Sequence, residues 1–203
     1  MYRRFVEVIC PSASDEVLDV GVTSDMRFPE SNFFEQWYPH KQRITCVGTE
    51  DGSHLQERYE GLRFVQVTPA EPLPFSDNQF DIAFTSAVVE HVGCFEQQRA
   101  FVAELLRVAK RFFVATPNRW FPVESHTGIP LLHYLPPHRF RAIIRDTRYS
   151  FWADERNLNL LDAAGLRRLF RAGIDIRIEH SGVGFGRFQS NLIAYGGSGA
   201  RAV

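Results

Sequence analysis

The residues best suited to chemistry begin with an acid and a glycine after a short apolar run. In "VLDVGVTSD" the spacing is Asp19-x-Gly21-x-Thr23-x-Asp25. A glycine there allows a tight turn at a strand end, and the hydroxyl and second acid can meet the polar end of a ligand. Glu50 and Asp51 follow a second apolar run. A carboxylate at such a strand end accepts from both hydroxyls of a ribose; Glu50 is the better placed, and Asp51 is either its neighbour in that role or the cap of the next helix. No G-x-x-x-x-G-K-[ST] occurs and no lysine follows the first loop, which argues against a triphosphate. A loop with one glycine and two acids also disfavours a pyrophosphate. A ligand with a ribose and no phosphate fits better. Two histidines complete the set, His91 in "VVEHV" and His126 in "PVESHTGIP"; either can take a proton near neutral pH.

The elements that must position these groups read as alternating strands and helices. "EVLDVGV", "RITCVG", "LRFVQV", "FDIAFTS" and "RFFVATP" are runs of strand formers, and the fourth is apolar on both faces, as a buried parallel strand is. "ESNFFEQWYP" places Phe33, Phe34, Trp37 and Tyr38 on one helical face, and "CFEQQRAFVAELLRVAK" places Phe101, Leu105 and Val108 at helical spacing. "DAAGLRRLFRAG" is a helix with Asp162 as N-cap and Gly173 as the residue after its C-cap. "IDIRIEH" and "SNLIAYG" have a glycine-bearing connection and no helix between them, so they form an antiparallel hairpin. The fold class is therefore α/β: a Rossmann-like, doubly wound sheet, mostly parallel, ending in an antiparallel hairpin. In such sheets ligands sit at the carboxyl ends of the strands. Each chemistry-bearing group above follows a strand.

Composition bounds the remaining classes. The chain has 203 residues, 44% hydrophobic and 23% charged, with net charge −1, as expected of one globular domain. That charge offers no bulk attraction to nucleic acid. No apolar stretch approaches the roughly 18 residues that span a bilayer, and the run in "MYRRFVEVICPSAS" is too short for a signal peptide. Cys10, Cys46 and Cys94 are widely spaced without C-x-x-C. They suit a reducing cytoplasm and core packing, and they provide neither a disulfide framework nor a metal site.

The order "VLDVG", "PLPFSDNQFDIAFTSAVVEHV", "RVAKRFFVATPN" resembles the class I S-adenosylmethionine-dependent methyltransferases, and within them the type 11 family, over roughly residues 15 to 195. The resemblance implies a seven-stranded sheet, S-adenosylmethionine as cofactor and S-adenosylhomocysteine as product. It assigns cofactor contacts to Asp19, Gly21, Thr23, Asp25, Glu50, Asp51, Ala70, Glu71, Thr85 and Ser86. Two departures stand out. The family pattern acid-x-G-x-G-x-G has Thr23 and Asp25 in place of the later glycines, and Pro69 stands where an acid usually meets the adenine amino group, leaving Ala70 and Glu71 for that contact. The E-H pair belongs to the family pattern, so His91 is read both as a proton acceptor and as packing near the cofactor.

The least generic stretch is an insert at about 118–152, with prolines between aromatic and aliphatic residues. A connection of this length in a compact domain is usually functional. The expectation is a lid or substrate-binding subdomain within a single domain, 1–203, with Trp120, Phe121, Tyr134 and Trp152 contacting substrate and His126 as catalytic base ahead of His91. Its arginines also suit a homodimer contact or a lipid-facing surface. With almost no extension before the first strand, the insert must supply much of the pocket. The expected activity is cytoplasmic methyl transfer to a small apolar or aromatic molecule, at oxygen. Its rivals are a non-catalytic binding protein of this fold and a cofactor user performing another reaction.

Overall fold

The computed structural model describes residues 1–25 and 31–197. The strands are β1 (Val17–Val20), β2 (Ile44–Gly48), β3 (Arg63–Gln66), β4 (Phe80–Ser86), β5 (Ala109–Pro117), β6 (Ile176–Ser181) and β7 (Asn191–Gly197). They form one seven-stranded sheet in the order β3-β2-β1-β4-β5-β7-β6. The first five are parallel and β7 runs antiparallel to both β5 and β6. The order reverses between β1 and β4, so their carboxyl ends open the crevice in which such sheets bind ligands.

Alternation along the strands divides the core. Leu18, Ala83, Phe112 and Val114 face a layer formed by α4 (Phe95–Val108) and α6 (Ala163–Leu169), which contribute Val102, Leu105, Leu166 and Leu169. Val17, Ile82, Phe84 and Phe113 face the other layer. That layer is led by α1 (Tyr2–Ile9), whose Phe5, Val8 and Ile9 are buried. Phe5 meets Phe34, Phe84 and Phe113 edge-on at 5.2–5.5 Å between ring centroids. Arg4 grips Glu179 of β6 at 2.7–3.0 Å, and Arg111 of β5 reaches the Ile9 carbonyl. The segment before β1, which the sequence reading left without an element, is thus a core helix.

Two further details differ from the reading of periodicity. In α2 (Phe33–Trp37) the inward pair is Phe34 with Tyr38, one turn apart, while Trp37 is 56% exposed. α6 starts as expected, with Asp162 accepting the Gly165 amide, but ends at Leu169; Gly173 (φ +87°) sits in the turn beyond its cap. Between β5 and α6, helix α5 (Pro137–Ile144) and two short 3-10 turns gather Phe140, Ile144 and Leu158 into a small apolar cluster of their own. Among the described residues no helix is long and apolar enough to cross a membrane. α3 (His54–Arg58) completes the helices.

Candidate active site at the carboxyl edge of the sheet

The first loop turns sharply at Gly21, whose φ is +107°. The amides of Gly21 and Val22 both donate to the Val47 carbonyl, and the Thr23 amide donates to the Asn32 side chain. Thr23 Oγ1 accepts the Asp25 amide. A Cβ on Gly21 would lie 2.1 Å from a methyl of Val88. The loop therefore rests directly on the segment after β4.

At the end of β2, Glu50 is exposed and its carboxylate accepts the Ser24 hydroxyl. Asp51 instead accepts the Ser53 amide at 2.9 Å, a bond that holds its carboxyl below the ordinary aspartate value. Of the two acids, Glu50 is the one turned to hydroxyl chemistry. Ala70 adopts a left-handed conformation (φ +65°) in an exposed turn beside Glu71. Thr85 is fully buried, its hydroxyl committed to the Val20 carbonyl at 2.8 Å, while Ser86 is half-buried at the end of β4.

Asp19 faces the interior. It is 6% exposed and lies against Glu35 of α2, which is fully buried. The Cys46 thiol donates to Glu35 Oε1 at 3.1 Å, and Glu35 Oε2 has no hydrogen-bond partner. Burial, and then the neighbouring Glu35 charge, push the Asp19 carboxyl well above its ordinary value. The same burial, with Glu35 and Asp19 beside it, drives the Cys46 thiol far above its usual range.

The second constellation lies one turn beyond Val88. The 3-10 turn Val89–His91 carries Glu90 inward and His91 to the edge. His126, from the insert, places Nε2 at 3.1 Å from His91 Nε2. His91 Nδ1 lies 2.6 Å from the Asn157 carbonyl, and His126 Nδ1 lies 2.7 Å from Glu124 Oε1. Trp152 packs over both rings, at 4.7 Å from His126 and 5.7 Å from His91. Glu90 is fully buried, with Oε2 accepting the Thr116 hydroxyl and Oε1 lacking a hydrogen-bond partner. Burial raises its pKa, against the pull of the neighbouring histidines. Burial would raise Glu124 too, but the His126 ring, the His126 amide and the Thr127 side chain hold it down at about 2.

The expected substrate aromatics separate into three environments. Phe121 lines a cavity of about 210 Å³ with Val123, His133, Leu160 and Asn191. Trp152 covers the histidines. Trp120 and Tyr134 pack edge-on at 5.3 Å, tied by the Tyr134 hydroxyl to the Trp120 carbonyl. The sequence reading did not single out Glu35, Glu90 or Glu124. Glu90 and Glu124 stand within two residues of the chosen histidines, and Glu90 is the acid of the E-H pair.

The methyltransferase domain family matches the chain over residues 30–112. That match spans less than half of the chain, and the sheet has the fold of solved methyltransferase structures. Solved structures agree on the fold. One is a chain in the complex between the Haloferax volcanii Trm112 methyltransferase activator and a methyltransferase, with TM-score 0.63, 13% identity, and 100% of this chain and 90% of that one covered. A second is an S-adenosylmethionine-dependent methyltransferase from Mesorhizobium loti, with TM-score 0.55, 13% identity and 89% of each chain covered. A third is the N-terminal domain of EvdMO1 with S-adenosylhomocysteine bound, with TM-score 0.56, 14% identity, and 98% of this chain and 79% of that one covered. No curated protein sequence matches the chain.

The donor set at this edge suits S-adenosylmethionine. Glu50 already accepts a hydroxyl from Ser24, as it would from a ribose, and the left-handed Gly21 turn is kept. The leading amides of the first loop are bound within the chain.

Proposed function

We propose that this domain transfers a methyl group from S-adenosylmethionine to an oxygen of a small apolar or aromatic molecule, beneath the insert at 118–152. The observation that carries this reading is the His91–His126 pair, set at the cofactor edge with both Nε2 atoms turned to one point and Trp152 above them. The cofactor, when bound, supplies an electrophilic methyl on a sulfonium. The chain's part is to align the acceptor and exclude water.

Glu50 takes the ribose hydroxyls, displacing Ser24, with Ala70 and Glu71 toward the adenine and Thr23, Asp25 and Ser86 toward the methionine end. Asp19 and Thr85 act from behind, by holding the loop and β1 in place. The acceptor's ring lies in the cavity beside Phe121, which is somewhat larger than the roughly 150 Å³ that accommodates benzene. Its hydroxyl points at the histidine pair. Trp120 and Tyr134 brace the entrance. Leu131, Ile143 and Phe151 stay exposed on the insert, which suits contact with a second copy, and the free thiols suit a cytoplasmic setting.

Calorimetric titration with S-adenosylmethionine and S-adenosylhomocysteine, followed by methyl transfer from labelled cofactor to a panel of phenols, tests the reading. Micromolar cofactor binding and a labelled ether product are expected. Absence of binding at millimolar cofactor would sink the enzyme and leave a fold without its activity.

A further inference from the structure

We infer that His91, His126 and Glu90 form a binding site for one divalent transition-metal ion, open on one side to an acceptor oxygen. The argument begins with the two imidazole protons. The Asn157 carbonyl at 2.6 Å can only accept, so His91 carries its proton on Nδ1. Glu124 accepts the His126 amide on Oε1 and the Thr127 amide on Oε2, and placed as such an acceptor it takes the His126 ring proton from Nδ1 as well. The Ser125 hydroxyl, at 3.3 Å from the same nitrogen, is the weaker neighbour. Both Nε2 atoms then present lone pairs to each other across 3.1 Å. Two lone pairs at that distance repel unless a cation lies between them.

The spacing suits an ion. Two nitrogens each about 2.0–2.1 Å from a zinc-like ion stand roughly 2.9–3.4 Å apart for bond angles between octahedral and tetrahedral. Glu90 supplies the third donor. Its Oε1 is fully buried, has no hydrogen-bond partner, and lies 3.8 Å from His91 Nε2. The three donor atoms fall within 4.8 Å of one another, so a modest inward turn of the carboxylate closes the set. Among the described residues, the imidazoles are the only basic groups paired with Glu90 and Glu124. A shared proton brings one positive charge to these two carboxylates; a divalent ion brings two. The outer contacts also match those of metal-bound histidines, whose other nitrogen donates to a carbonyl or carboxylate.

Three protein donors leave a coordination position vacant, as catalytic sites do. The ion's role in catalysis rests on the methyl-transfer reading above; its binding does not. In that role an acceptor hydroxyl bound at the vacant position loses its proton to water more readily. The C–O bond then forms as the S–CH₃ bond breaks, and sulfur keeps the electron pair as S-adenosylhomocysteine. The acceptor class is thus a hydroxylated aromatic.

The test uses chelator-treated, refilled protein. Titration with Co²⁺ should give one equivalent of visible absorption from a low-symmetry site, displaced by Zn²⁺. His126→Ala should abolish that spectrum and weaken Zn²⁺ binding by about 100-fold or more, and Glu124→Gln should weaken it by about 10–100-fold. Circular dichroism confirms that the variants are folded. No uptake of Co²⁺ or Zn²⁺ by folded wild type at millimolar metal would overturn the site, as would unchanged binding in His126→Ala. So would ¹⁵N spectra showing a stable imidazolium bridge in the presence of metal. Cofactor affinity, measured separately, keeps the proposals apart: metal uptake without cofactor binding refutes methyl transfer alone, and the converse refutes the metal alone.

Discussion

Gly21 joins the cofactor loop to the histidine turn, and substituting it should reveal that coupling. In Gly21→Ala the new methyl meets Val88 Cγ2 at 2.1 Å at a backbone φ of +107°. The φ alone costs an L-residue about 1–3 kcal/mol. Carbon atoms rest at about 3.5–4.0 Å, so Val88 must retreat by roughly 1.4 Å or more, which at overpacked sites costs about 1–3 kcal/mol further. The expected loss is about 2–6 kcal/mol, or roughly 5–20 °C in melting temperature for a chain of this size. Because Val88 directly precedes the Val89–His91 turn, the same shift displaces Glu90 and His91. Denaturant melts of Gly21→Ala, Val88→Ala and the double variant separate the two contributions. The double variant should regain the clash, about 1–3 kcal/mol, and keep the φ cost. If Val88→Ala restores nothing, the loop and the histidine turn are not in mechanical contact and the coupling argument fails.

Glu50→Ala should weaken cofactor binding by about 1–3 kcal/mol, while Asp51→Ala should leave it nearly unchanged because that carboxylate caps the Ser53 amide; calorimetry giving the reverse order would reassign the ribose contact. Ser24→Ala, which frees Glu50, should bind cofactor at least as tightly as wild type. Asp19 binds a proton more tightly folded than unfolded, so wild-type stability should fall as pH rises from about 4, the unfolded value, through the raised folded value. Asp19→Asn removes that titration, and its stability relative to wild type should grow with pH in melts across the range; a constant difference would show that the fold does not raise the Asp19 carboxyl. Phe5→Ala should cost about 3–5 kcal/mol, and a smaller loss would mean that α1 is not part of the core.

The strand pattern was legible because it is local. "FDIAFTS" is apolar on both faces wherever it is read, and a hairpin follows from two β-rich runs with glycines between them. The sheet edge as the place for chemistry follows from that alternation, and Glu50 at the end of β2 follows from the edge. The helix α1 carried its signal too, in Phe5, Val8 and Ile9 at helical spacing. Eight residues, two of them arginine, make a weak pattern, and only packing against β4 and β5 turns it into core. Whether a polar group faces water is different in kind, since it depends on what lies opposite. Trp37 resembles its aromatic neighbours in sequence yet points out, and Glu35 is an acid yet buried against Asp19. Thr85 spends its hydroxyl on Val20, a partner on another strand. The histidines are the clearest case: His91 and His126 are separated by a helix, a strand and a loop, and no periodicity relates them. Their 3.1 Å approach, and the tautomers that Asn157 and Glu124 impose, arise only when the insert folds back over the carboxyl ends of β4 and β5.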